Sequence, residues 1–112
     1  MGIKTHKDLD GWKLSIQLVK DIYQLTSKFP SEEKFGLVAQ IRRATVSIPS
    51  NISEGAARNS DKDYIRFLYI SLGSLSEIET QLIIAEELGF SDTTGEINGQ
   101  SGNPSPKATK SD

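Results

Sequence analysis

The sequence predicts an all-α fold, an antiparallel up-and-down bundle with three clear long helices, and three observations carry that reading. Large apolar residues recur at alternating steps of three and four over three long stretches, which gathers them on one face of a helix. The stretches are separated by Phe29-Pro30-Ser31 and by Arg58-Asn59-Ser60-Asp61, runs that stop one helix and cap the next. After Phe90 the apolar pattern ends, and Ile97 is the only large apolar side chain from 91 to 112. A chain of 112 residues is one domain, long enough to bury a core without metal or disulfide staples.

Residues 1–7 are expected to fray, and the bundle is placed over 8–90. Asp8 or Asp10 can cap the first helix, since a carboxylate there accepts free N–H groups and favours the positive end of the dipole. Trp12, Ile16, Val19 and Tyr23 form one stripe, and Leu18, Ile22, Leu25 and Phe29 form a second beside it. A face this broad meets two neighbours, as in a bundle, and suggests apolar surface left over for association. The second helix is expected from about Glu32 to Ala57, with Ser31 as its cap and Phe35 and Leu37 joining Val38 and Ile41 near its start.

The third helix is expected from about Asp61 to Leu88, capped by Ser60 or Asp61 and stopped by Gly89. Tyr64, Phe67 or Leu68, Ser71, Leu75, Ile78, Leu82 and Ala85 make its seam, widened by Ile65 and Leu72. Gly73, which costs about 1 kcal/mol relative to Ala at mid-helix, either marks the close approach of another backbone or is simply tolerated. Residues 91–112 cannot bury enough surface to offset the entropy of ordering, so they read as a disordered polar tail.

The densest group of uncommon choices runs from Ile41 to Arg58. Val38, Ile41, Ala44, Ile48 and Ile52 share a face, and the methyl group of Thr45 fits the same stripe. Pro49 lacks an N–H and clashes one turn back, at a cost of about 3 kcal/mol in an isolated helix. The helix therefore ends there or kinks, and the apolar step continuing to Ile52 favours a kink. Ser47, Ser50 or Asn51 would then serve the freed backbone groups.

Several function classes are set aside by composition. With no cysteine, structural disulfides and cysteine-based zinc or nucleophile sites are excluded, and a cytoplasmic compartment is the expectation. No apolar run approaches the ~20 residues of a membrane-spanning helix, and the N-terminus lacks a signal pattern. His6 stands where a myristoylation motif needs Ser or Thr. It is also the only histidine, with no partner at ligand spacing, so neither a metal site nor a catalytic triad is expected. Gly55 and Gly73 are isolated rather than part of a phosphate loop, and Glu77 and Glu79 diverge on a helix. No cofactor, small-molecule substrate or catalytic residue is expected.

Two candidate groups remain. Arg42, Arg43, Arg58, Lys62 and Arg66 lie close in sequence and could meet phosphates or a partner. The formal net charge of −2 argues against a nucleic-acid domain, which carries a clear basic excess, and the plainer reading is solvated helix faces and ion pairs. The second group is a polar site at the proline kink made of Arg42, Arg43, Asn51, Glu54 and Arg58, within a structural motif of Pro49, Asn51, Glu54, Gly55, Gly73 and Glu77. Glu54 and Arg58 stand four apart in the favourable order for a helical ion pair worth ~0.2–0.5 kcal/mol. Structure or subunit contact is the leading reading of this group, ahead of ligand or nucleic-acid binding, with catalysis last.

The motifs themselves carry a resemblance. W-x-x-S-x-x-L from Trp12, F-P-S-E-E-x-F-G-L from Phe29, Q-I-R-R-A-x-V-S-I-P-S-N-I-S-E-G from Gln40 and F-L-x-I-S-L-G-S-L-S-E-I-E-T-Q-L from Phe67 cover about residues 8–90. Together they resemble the bacterial four-helix-bundle family encoded by 23S ribosomal RNA intervening sequences. They are similar, more distantly, to the accessory variability proteins of diversity-generating retroelements. The resemblance implies an up-and-down bundle assembled into a ring-like homopentamer, without enzyme activity. In the retroelement relatives a basic ring surface binds nucleic acid and a reverse transcriptase. Where the family carries its fourth helix, roughly 92–112, this chain has a polar, Pro-containing stretch, so the fourth helix is expected to be missing or replaced. The expected function is a self-assembling scaffold or adaptor, with a nucleic-acid-binding accessory as the alternative.

Overall fold

The structure, a computed structural model, describes residues 5–90. The tail expected over 91–112 lies outside the described residues. Every regular element among them is helical: α1 spans Asp10–Thr26, α2 Leu37–Ala56 and α3 Asp61–Glu87, with short 3-10 turns at His6–Asp8 and Ser31–Glu33. The 3-10 turn at His6–Asp8 precedes α1, and the His6 ring stands edge-on to Trp12 at 5.3 Å. No described helix is long and apolar enough to cross a membrane.

The short α2–α3 connection returns the chain antiparallel to itself, and α2 becomes the central helix with α1 and α3 packed on either side. The core follows from the α2 stripe. Val38, Ile41, Ala44, Thr45, Ile48 and Ile52 are all buried, and Ile41 and Thr45 are fully so. Thr45 fits because its hydroxyl donates to the Ile41 carbonyl one turn back at 2.7 Å, which leaves its methyl group for the core. Ile22 and Phe29 close the cluster from the α1 side, and Ile78 and Ala85 close it from α3.

α2 runs through Pro49 without interruption. Side chains around the proline bond back to the preceding turn: Ser50 Oγ donates to the Val46 carbonyl at 2.9 Å and Asn51 Nδ2 to the Ser47 carbonyl at 2.8 Å. Tertiary burial of Pro49 and Ile52 outweighs the local cost of the proline.

The helix starts differ from expectation in two places. α1 has Leu9 in the capping position with no side-chain cap; Asp10 instead occupies the first turn, where its charge still faces the dipole. α2 begins at Leu37, not Glu32, because Gly36 takes φ −107° and ψ −111°, outside the helical region. Ser31 therefore opens only a 3-10 turn, and Glu33 Oε1 becomes the group that accepts from the Leu37 N–H at 3.3 Å. Phe35, out of register with α2, is 88% exposed rather than in the core.

α3 starts and stops as its residues dictate. Ser60 accepts from the Asp63 N–H at 3.1 Å. At the other end Gly89 turns left-handed at φ 77°, the Phe90 N–H reaches the Ala85 carbonyl at 2.9 Å, and the Gly89 N–H reaches Glu86 at 3.0 Å. This pair of bonds is a Schellman stop, and Phe90 packs against the core as such stops favour.

Candidate binding surfaces

The five predicted basic residues do not form one patch. Arg42 turns toward α1: its Nε donates to Thr26 Oγ1 at 2.9 Å and its Nη2 to the Tyr23 carbonyl at 3.1 Å. The guanidinium also lies 4.4 Å from the centre of the Tyr23 ring. It thereby serves one carbonyl and one hydroxyl oxygen at the C-terminal end of α1, the negative end of that helix dipole. Arg42 is a clamp between α1 and α2.

Arg58 sits past the C-terminal end of α2, roughly 24 Å away at about 1.5 Å per residue. Its Nη2 meets Glu54 Oε2 at 2.9 Å, the predicted ion pair, with both side chains about half exposed. Arg58 and Arg66 both lie over the Phe67 ring, at 5.0 and 5.4 Å. Lys62 is exposed in the first turn of α3. Arg43 stands apart, lining an open polar cleft with Gln40, Ser47, Ser74 and Glu77.

That cleft runs along the outer seam between α2 and α3, where small polar residues let the helices approach. Ser47 and Ser74 share a 2.6 Å hydroxyl bond, and Ser71 Oγ donates to the Ile48 carbonyl at 3.2 Å. Gln81 Nε2 donates to Glu77 Oε2 at 3.2 Å and reaches Gln40 Oε1 at 3.5 Å. Glu77 is thus tied to its own helix. Gln81, buried beside it and not part of the predicted seam, whose Leu82 does pack against the core, leaves its Oε1 without a donor among the described residues.

The two singled-out glycines behave differently. A Cβ on Gly55 would stand 2.8 Å from Phe67 Cβ and 3.1 Å from Tyr64 Cδ1, so the end of α2 and the start of α3 touch there. A Cβ on Gly73 would meet nothing within 4 Å, so close approach by another part of the described chain is not its reason. Among the described residues no three His, Cys, Asp or Glu side chains gather as a metal site.

The most distinctive surface was only partly foreseen. α1 and α3 flank α2 without packing closely on each other, which leaves an apolar groove of about 330 Å³ between them. Leu14 and Leu18 of α1 face Leu68, Leu72 and Leu75 of α3 across it, with Ile48 of α2 as the floor. Leu14 is 71% exposed and Leu72 55%. The widened stripe of α3 signalled one wall, but Leu14 belongs to neither predicted stripe of α1. Its signal is the row Asp10, Leu14, Gln17, Asp21, where a lone leucine among polar residues carries no periodicity.

With this geometry in hand, comparison with known proteins adds one finding. The family model described as 23S rRNA-intervening sequence protein matches residues 7–98. No curated protein matches the chain.

Proposed function

The chain belongs to the 23S rRNA-intervening sequence protein family, and from that premise we propose that it is a non-enzymatic, cytoplasmic scaffold that works by self-assembly. The observation that carries this reading is the apolar surface α3 retains beyond its contact with α2. Along one edge Ile70, Ile84 and Leu88 are 40%, 42% and 59% exposed, and the groove lies along the other. Exposed apolar surface of this kind favours association, because leaving it in water forgoes about 25 cal/mol per Å². The ring-like homopentamer of the family resemblance is the assembly expected, built on the Ile70, Ile84 and Leu88 edge.

Absolute mass by light scattering on the purified chain tests this directly. A multiple of the protomer mass is expected, falling to the monomer in Ile84→Glu/Leu88→Glu. Monomeric wild-type chain across micromolar concentrations would sink the proposal.

Nucleic-acid binding is the second reading. It is favoured by Arg58 and Arg66, which both lie over the Phe67 ring, with Lys62 in the first turn of α3. Arg42, spent on α1, drops out of it. Binding to RNA or DNA that weakens steeply with salt would support this reading, because phosphate contacts release counterions. No binding at low salt would remove it.

A further inference from the structure

We propose that the cavity between the N-terminal turn and the α2–α3 connection binds one purine nucleotide, either free or as an unpaired residue of single-stranded RNA. The cavity measures about 360 Å³, the size of a site for one small molecule and not for a duplex. Its lining joins Leu9 and the rings of His6 and Tyr64 to the polar side chains of Arg58, Asn59 and Asp61. Both rings are half-buried and held by packing. His6 stands edge-on to Trp12 at 5.3 Å, and Tyr64 lies so close to Gly55 that a Cβ there would be 3.1 Å from Tyr64 Cδ1. Rings of these two types, fixed in this way, are what unpaired bases stack on.

The polar groups are open to a ligand. Among the described residues the His6 ring nitrogens, the Asn59 amide, the Asp61 carboxylate and the Tyr64 hydroxyl have no hydrogen-bond partner. Arg58 spends Nη2 on Glu54, which leaves the rest of its fork free.

Their chemistry identifies the occupant. An Asn amide donates and accepts at once, the pattern that matches N7 and N6–H₂ of adenine. The Asp61 carboxylate only accepts and suits a ribose hydroxyl, while the free N–H groups of Arg58 suit a phosphate. A bare anion would meet the Asp61 charge and leave both rings unused, and a metal ion would meet Arg58. A purine nucleotide uses the donors, the acceptors and the rings together.

The inference rests on the nucleic-acid reading only in giving Arg58 to a phosphate, and the two fail separately. Trp12 is the only tryptophan in the chain, and its contact with His6 makes its fluorescence a report on this cavity. Titration of the full chain with AMP is expected to change that fluorescence to saturation, whereas UMP or inorganic phosphate at the same concentrations leaves it unchanged. Asn59→Ala, at an exposed position and checked for folding by circular dichroism, is expected to weaken AMP binding about tenfold, the scale of one bidentate Asn–adenine pair. Single-stranded oligoadenylate separates the two sources of the nucleotide. Binding that Asn59→Ala weakens in the same way assigns the cavity to an unpaired base; AMP binding without oligoadenylate binding assigns it to the free nucleotide and removes the nucleic-acid reading.

UMP or inorganic phosphate matching AMP, AMP binding unmoved by Asn59→Ala, or no binding of AMP by equilibrium dialysis would overturn the proposal. Salt-sensitive RNA binding in a chain that ignores AMP would leave the basic surface standing and the cavity without a ligand.

Discussion

Arg42 is the basic residue whose removal is expected to matter most for stability. Arg42→Ala forfeits two charge-assisted hydrogen bonds and a ring contact that join α1 to α2, and a loss of about 2 kcal/mol in urea unfolding is expected. Arg42→Lys should recover little, because a compact ammonium cannot replace the planar fork. By contrast Glu54→Gln should change stability by less than about 0.5 kcal/mol, since its pair with Arg58 is solvent-screened. Gly55→Ala is expected to cost about 1–3 kcal/mol, because the added methyl group meets Phe67 Cβ at 2.8 Å and backbone must shift. The same substitution at Gly73, facing open space, should stabilise the protomer by up to about 1 kcal/mol. If Gly73→Ala instead lowers the assembled mass, the close neighbour of that glycine belongs to another copy.

At the scale of elements, the capping and stopping residues have separable effects. Ser60→Ala removes the acceptor of the Asp63 N–H, with an expected loss of about 1 kcal/mol that Ser60→Asp should largely restore; thermal melts followed by circular dichroism measure both. The limits of α3 were legible because Ser60 and Gly89 are local signals acting on their own neighbours. The start of α2 was not, because Ser31 with two glutamates satisfies every local rule for a helix opening and yet yields one 3-10 turn. What displaced it was the unusual backbone at Gly36, which moved the first helical turn to Leu37 and left Phe35 outside the core. Pro49 shows the opposite balance, since burial of Ile48 and Ile52 on both sides of it holds a helix that local cost would break.

For the whole molecule, the central position of α2 decides which surfaces remain open. Its two flanking helices cover its stripe from both sides, so the core is complete around α2 while α1 and α3 each keep apolar residues facing outward. The assembled mass expected of the wild-type chain, and its collapse in Ile84→Glu/Leu88→Glu, belong to this scale, since neither residue supports the protomer's own core. The groove belongs to it as well, since its walls come from helices distant in sequence.

Sequence by itself determined the helical class, the three long elements, the α2 stripe from Val38 to Ile52 and the Glu54–Arg58 pair, because helical periodicity, capping and i, i+4 contacts all act within a few residues. Only the tertiary structure decided that Arg42 clamps α1 instead of joining Arg58 in a patch, that Gly55 rather than Gly73 marks close packing, and that Leu14 and Leu72 face one groove. Each of those depends on the rotation of one helix about its axis relative to another. That rotation is set by the packing of whole faces, which no local spacing encodes.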